Sequence, residues 1–166
     1  MIFIIILFIL FLDQFTKLLA TKNLLLNQSV PLIRRIFHLT LVRNRGAAFG
    51  ILKNQTSLFI FASLFAIILI FWGLRKNKYK KYSLYPVRNI ASAKGCGKIS
   101  NGVYSISLSF ILAGALGNLI DRLRLGYVID FLDFRIWPIF NVADSAITIG
   151  AILLGWSILI TRNRQG

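Results

Sequence analysis

Apolar residues run almost unbroken through four stretches of the chain, residues 2–20, 58–74, 103–120 and 142–160, and polar residues gather between them. Each stretch is close to the ~20 residues that carry a helix across bilayer hydrocarbon. The pattern therefore predicts four transmembrane helices and leaves little chain for a separate domain, so residues 1–166 read as one membrane-embedded unit. The first stretch has a long apolar core, no basic leader and no small-x-small cleavage site after it, and is expected to persist as a helix rather than be removed as a secretory signal. Residues 21–57 break the pattern. Between positions 36 and 43, Phe37, Leu39 and Leu41 alternate with Ile36, His38, Thr40 and Val42, the period-two signature of a half-buried strand. After it, "NRGAAFG" (residues 44–50) places Gly46 where a turn is needed, and the small Ala47 and Ala48 where backbone can approach another element. Residues 82–102 mix Ser, Gly, Asn, Lys and Pro86 without periodicity and are expected to form an inserted loop. The expected fold class is an all-α integral membrane protein, a four-transmembrane-helix bundle carrying a small extracytoplasmic β-sheet.

Composition agrees with this class: 57% of residues are hydrophobic and the mean hydropathy is +0.72, far from an ordinary soluble domain. The net charge of +15 does not point to nucleic acid, because the 20 Lys and Arg are spread over every loop without an aromatic-interleaved patch. Anionic lipid headgroups are the expected partners. Cys96 is the single cysteine and His38 the single histidine, and the chain has no Glu, so neither an intrachain disulfide nor an HExxH metal site can form.

Four passes put both termini on one side of the membrane, together with the loop that carries Arg75, Lys76, Lys78, Lys80 and Lys81 beside a membrane end. The positive-inside rule makes that side cytoplasmic. Parity then sends all five carboxylates, Asp13, Asp121, Asp130, Asp133 and Asp144, to the opposite side. An ionisable group at the centre of a membrane helix costs about 2.5–3.5 kcal/mol on insertion scales, so such groups have a partner or a task.

Asp13, Asp121, Asp144 and Asp133 each have a structural explanation to set against a chemical one. Asp13 and Lys17 lie four apart on one helical face and can pair within the helix. Asp121, beside Arg122 and three residues after Asn118, can clasp a helix end. Asp144 is three residues after Asn141 and can be the third residue of a helix that Asn141 caps. Asp133, in "DFLDF", reads as a solvated loop acid. Asp130 has no local cation or cap, and its neighbours Val128, Ile129, Phe131 and Leu132 are apolar, which raises a carboxyl pKa. If its loop folds back onto the fourth helix, Asp130 and Asp144 share a proton near neutrality. They then supply a general base and a general acid together, the arrangement of aspartic proteases.

Four stretches in order, "LDQFTK" (12–17), "NRGAAFG" (44–50), "GALGNLIDRLRLGYVIDF" (114–131) and "FNVADSAITIG" (140–150), resemble the lipoprotein signal peptidase (signal peptidase II) family. The resemblance covers nearly all of the chain except the loop around 82–102. It implies an aspartic endopeptidase of the bacterial inner membrane, both termini cytoplasmic and the active site at the outer leaflet, which removes signal peptides from diacylglyceryl-modified prolipoproteins. It implies no metal, no organic cofactor, no nucleic acid and a monomer. By the same resemblance the catalytic aspartates fall on Asp130 and Asp144, and the substrate-binding and supporting residues on Asp13, Lys17, Asn44, Gly46, Asn118, Asp121, Arg122 and Asn141. Gly50 stands where the family commonly has Ser, a small-for-small change. A small proton-coupled transporter or channel is the alternative from another class, since intramembrane acids also mark ion pathways, although the paired repeats common in transporters are not evident.

Overall fold

The computed structural model describes residues 2–46, 55–80 and 93–162. In chain order the elements are α1 (Ile2–Asn23), β1 (Ser29–Ile33), β2 (Phe37–Asn44), α2 (Thr56–Lys80), α3 (Ala93–Leu125), β3 (Val128–Asp133) and α4 (Val142–Arg162). The four helices are each long and apolar enough to cross a membrane, and the strands form one small sheet, so the protein is a mostly helical membrane protein. Ala47 and Ala48 of the "NRGAAFG" stretch, and residues 82–92 of the expected loop, lie outside the described residues. Residues 93–102, expected as part of that loop, are helical and extend α3 toward its N-terminus, and Cys96 falls within this extension. The Gly, Ser and Asn content that suggested a loop is overridden there by continuation of the helix, as propensity is a weak prior.

α3 is the hub. Just over half of its spanning window is buried, 56% against 6% for α2, and both α1 and α4 pack on it. Lipid tails are as apolar as leucine, so helices associate in a membrane through close backbone approach at small residues. Here a Cβ at Gly114 would strike the carbonyl oxygen of Ala143, and one at Gly150 would lie 2.7 Å from that of Ser107. The two contacts are seven residues apart along each helix, so α3 and α4 meet at two levels, two turns apart, and hold the start of α4 in fixed register against α3. α1 lies against this pair through the stripe Ile9, Asp13, Lys17 and Ala20, while Phe3, Leu7, Phe8 and Phe11 face outward.

α3 ends at Gly126, whose φ of +79° and N–H bond to the Arg122 carbonyl (3.1 Å) make a left-handed cap that turns the chain into β3. The sheet order is β1-β2-β3 with all pairs antiparallel, Ser29 opposite Thr40 and Val42 opposite Asp130. Leu41, Ile129 and Phe131 form its core against Ala20 at the end of α1. β3 falls in what the sequence suggested was a loop. "VIDFLD" has apolar residues on both faces, as a strand enclosed on both sides does, and so shows no alternation to detect.

Candidate active site

Two groups of polar side chains lie where the sheet meets the bundle. The inner one centres on Lys17, whose ammonium is 2% exposed and reaches Asp13 Oδ2 at 2.9 Å, Asp121 Oδ2 at 2.9 Å and Asn118 Oδ1 at 3.0 Å. All three ammonium donors are thereby satisfied, the condition for a buried charge to be tolerated. Asp13 also accepts the backbone N–H of Ala143 at 2.9 Å, so α1 holds the first turn of α4 directly. Asp121 accepts the N–H of Ile129 at 3.1 Å and fixes the entry to β3. Gln14, which was not among the sequence candidates, donates to both Asp13 Oδ2 and Asp121 Oδ1 at 3.1 Å. Its signal was present in the sequence: Gln14 follows Asp13 in the polar run "DQFTK" that interrupts the apolar residues of α1. The expected Asp13–Lys17 pair is thus one edge of a wider network, and Asp121 clasps Lys17 rather than its neighbour Arg122.

The outer group contains Asp130 and Asp144. Asn141 caps α4, accepting the N–H of Asp144 on Oδ1 at 2.9 Å, while its own N–H donates to Asp144 Oδ2 at 3.3 Å, a reciprocal capping box. The Asn141 side-chain amide donates to Asp130 Oδ1 at 2.7 Å and to Asn118 Oδ1 at 3.1 Å. Asn118 in turn donates to Asp144 Oδ1 at 2.8 Å. Asn44 at the end of β2 donates to Asp130 Oδ2 at 2.9 Å, and its own carbonyl is held by the N–H of Gly46 at 2.9 Å. Every candidate side chain therefore belongs to one connected set apart from Arg122, which stacks 5.0 Å over the ring of Phe59. Arg122 lines the same cleft of about 350 Å³ as Asp130, Asp144, Asn44, Gly46 and Asn118.

Asp130 is 2% exposed, and its pKa is raised from 3.8 to about 7, first by burial and then by the charge of Asp144, against the opposing hydrogen bonds from Asn44 and Asn141. Asp133 behaves in the opposite way and corrects the reading of it as a solvated acid. It is 4% exposed, and although burial pushes its pKa up, bonds from the Thr40 hydroxyl (2.7 Å), the Arg135 N–H (2.8 Å) and the Arg135 guanidinium (3.1 Å) bring it below the usual value. Two carboxylates three residues apart on one strand are thus separated by environment. One is charged and clamped, and the other is poised to exchange a proton near neutral pH. Among the described residues no three His, Cys, Asp or Glu side chains converge to hold a metal ion.

Comparison with known proteins extends over nearly the whole chain. A family model described as signal peptidase (SPase) II matches residues 5–160. The lipoprotein signal peptidase of Caldanaerobacter subterraneus subsp. tengcongensis is 45% identical over 157 residues, covering 94% of this chain and 94% of the relative. That of Halothermothrix orenii is 44% identical over 156 residues, covering 93% and 92%. A solved structure described as a bacterial membrane enzyme, obtained by the in meso method at 2.3 Å, superposes with a TM-score of 0.79 at 29% identity over 99% of this chain and 91% of that one. With agreement from α1 through α4 in both sequence and fold, this chain belongs to the signal peptidase II family of membrane peptidases.

Proposed function

We propose that the protein removes the signal peptide from diacylglyceryl-modified prolipoproteins, cutting before the lipidated cysteine, with Asp130 and Asp144 activating water. The observation that carries this reading is that the two carboxylates, 14 residues apart on different elements, line one cleft and are tied together through a single asparagine. Asn141 holds Asp130 through its amide and Asp144 through its backbone, so the pair keeps its spacing without substrate. Two carboxyl groups in one cleft share a proton, and the pKa of about 7 for Asp130 keeps that proton available at neutral pH. The ionised member takes a proton from water as the oxygen attacks the scissile carbonyl carbon. The protonated member donates a hydrogen bond to the developing oxyanion and then helps protonate the departing amine. Asn44, Asn118 and Asn141 hold the two carboxyl planes, and the Asp13–Lys17–Asp121 network holds Asn118 and the start of α4.

A lipid on the substrate cysteine fixes the depth of the scissile bond, because each methylene kept in the bilayer contributes about 0.8 kcal/mol. A precursor carrying its diacylglyceryl group is expected to be cut at least about tenfold more efficiently than the same precursor without it, a difference of about 1.4 kcal/mol in kcat/KM. Gel-shift cleavage of both precursors by the purified enzyme measures this, and equal rates would overturn the substrate assignment.

The sheet and cleft lie on the outer side of the inner membrane in this reading, a placement supported by the basic residues beside the α2 end and by the common side of all five acids. With Cys96 replaced by Ser, single cysteines at Ser29 and at Ser92 should react with an impermeant thiol reagent from opposite faces. Labelling of both from outside would exclude the arrangement.

A further inference from the structure

A second polar chain crosses the sheet away from the two catalytic candidates. Ser29 of β1, His38 and Thr40 of β2 and Asp133 of β3 lie side by side, Ser29 opposite Thr40 and His38 opposite Asp133. The Ser29 hydroxyl is 3.0 Å from His38 Nδ1 and 2.9 Å from Thr40 Oγ1, and Thr40 Oγ1 is 2.7 Å from Asp133 Oδ2. His38 Nε2 is buried and has no partner among the described residues. Counting hydrogens orients the whole chain. The Asp133 carboxylate, held below its usual pKa, can only accept, so the single Thr40 hydroxyl hydrogen goes to it. Thr40 then turns a lone pair to Ser29, and the Ser29 hydrogen must fill the gap between the two oxygens. Ser29 in turn meets Nδ1 with a lone pair, so Nδ1 carries the ring hydrogen. The opposite tautomer would leave two hydroxyl oxygens in contact with no hydrogen between them, and a buried N–H at Nε2 with no acceptor. The Nδ1–H form leaves only a bare lone pair at Nε2, and a buried acceptor without a partner is a lesser defect than a buried donor without one.

The far end of the chain reaches the cleft. Asp133 Oδ1 accepts the N–H of Arg135 at 2.8 Å and holds that residue at φ +66°, a left-handed conformation that a bulky side chain seldom adopts. This bond starts the 134–140 segment, and the Leu132–Phe140 bridge ends it. Within the segment Trp137, Pro138, Ile139 and Phe140 wall the cleft that holds Asp130 and Asp144. We propose that His38 is a positioning residue for this cleft: its Nδ1–H heads a one-way hydrogen-bond relay through Ser29 and Thr40 that fixes the Asp133 carboxylate and, through the Arg135 N–H, the wall formed by residues 137–140. The direction of the relay stands on the geometry of the sheet, and its effect on turnover rests on the peptidase reading above. Without the relay, Asp133 is left to the Arg135 guanidinium at 3.1 Å, which moves with the segment it would have to anchor. Asp130 and Asp144 keep their own bonds to Asn44, Asn118 and Asn141. Substrate binding should therefore suffer and the chemical step should not.

His38 is the single histidine of the chain, so the intact protein labelled with 15N-histidine, without a histidine tag, gives one imidazole signal in detergent micelles. At pH 8.5, above the ordinary imidazole range, Nδ1 should carry the hydrogen and Nε2 should be bare. Ser29 is exposed, so Ser29→Ala leaves the fold intact, and it should raise the fraction protonated at Nε2. A wild-type ring protonated at Nε2, or a tautomer that Ser29→Ala does not change, would overturn the relay. With a lipidated precursor, His38→Phe and Ser29→Ala should each raise KM about fivefold with kcat within about twofold of wild type, and the double variant should be no worse than either, since both cut one chain. His38→Asn carries an amide N–H where Nδ1 stands and should return KM to the wild-type value, whereas His38→Gln, whose amide reaches the Nε2 position, should not. A KM unchanged in His38→Phe, or raised as much in His38→Asn, would overturn the positioning role. The tautomer is read without substrate, so it can hold if the precursor is not cut, and cleavage by the wild type tests the peptidase reading separately.

Discussion

Asp130→Asn and Asp144→Asn should each lower kcat for a lipidated precursor by on the order of 10³-fold or more while leaving KM near its wild-type value, since the amide keeps size and burial and removes only the proton chemistry. Folding should survive both changes. Asp130 accepts two amide donors, from Asn44 and Asn141, and Asp144 accepts two donors, from Asn118 and the Asn141 backbone. An asparagine can still accept at one of its two positions, so each variant loses about one hydrogen bond, about 1 kcal/mol. The wild-type enzyme should also lose activity as pH rises through about 7, when Asp130 gives up its proton and the pair no longer contains a donor. Stability follows the same group. Its pKa is higher folded, about 7, than its ordinary 3.8, so the native state binds more protons between those values and stability falls as pH rises across that window. Asp130→Asn should remove this fall and melt higher than wild type at pH 8. Normal turnover in either variant would exclude the dyad. Lost turnover with retained substrate binding would separate a peptidase from a proton channel, whose defect would lie in ion flux.

The parts of this molecule legible in its sequence are those in which one residue faces one environment. The four helices are each long and apolar enough to cross a membrane, so length and hydropathy alone identify them. β2 was legible because Phe37, Leu39 and Leu41 recur at every second position, although the neighbouring Thr40 and Leu41 are both buried. β3 is enclosed by β2, α1 and the 134–140 segment, so "VIDFLD" carries no period, and the bridge from Leu132 to Phe140 that completes its surroundings joins residues whose pairing no local pattern encodes. The same limit applies to Asp133. Its sequence neighbours are those of a loop acid, and its burial depends on Thr40, 93 positions away. Asp130 was recognisable because apolar neighbours on both sides left its charge unexplained. The Asn141–Asp144 cap was local and could be read directly. That Asn141 also reaches Asp130 could be suggested by resemblance but not by spacing, because it requires the 134–140 segment to turn back on β3.

Lys17→Met should destabilise the protein by about 3–5 kcal/mol, the cost of leaving buried charges without their partner. The methionine fills much the same volume, so lost packing contributes little. What remains is Asp13 and Asp121, 0% and 3% exposed, with Gln14 as their common donor among the described residues. Activity should fall as well, because the Asn118 carbonyl oxygen loses the ammonium that orients it while the amide of the same side chain holds Asp144. The test that separates charge from geometry is rescue. In Lys17→Met combined with Asp13→Asn and Asp121→Asn the buried charges are gone, and thermal unfolding in detergent should recover most of the loss, since a neutral interior of similar volume is often as stable as a buried ion network. Activity should recover less, because Asn118 still lacks its anchor and Asp13→Asn weakens the hold on the Ala143 N–H. A triple variant no more stable than Lys17→Met alone would show that Lys17 acts by shape and not by neutralising the two aspartates.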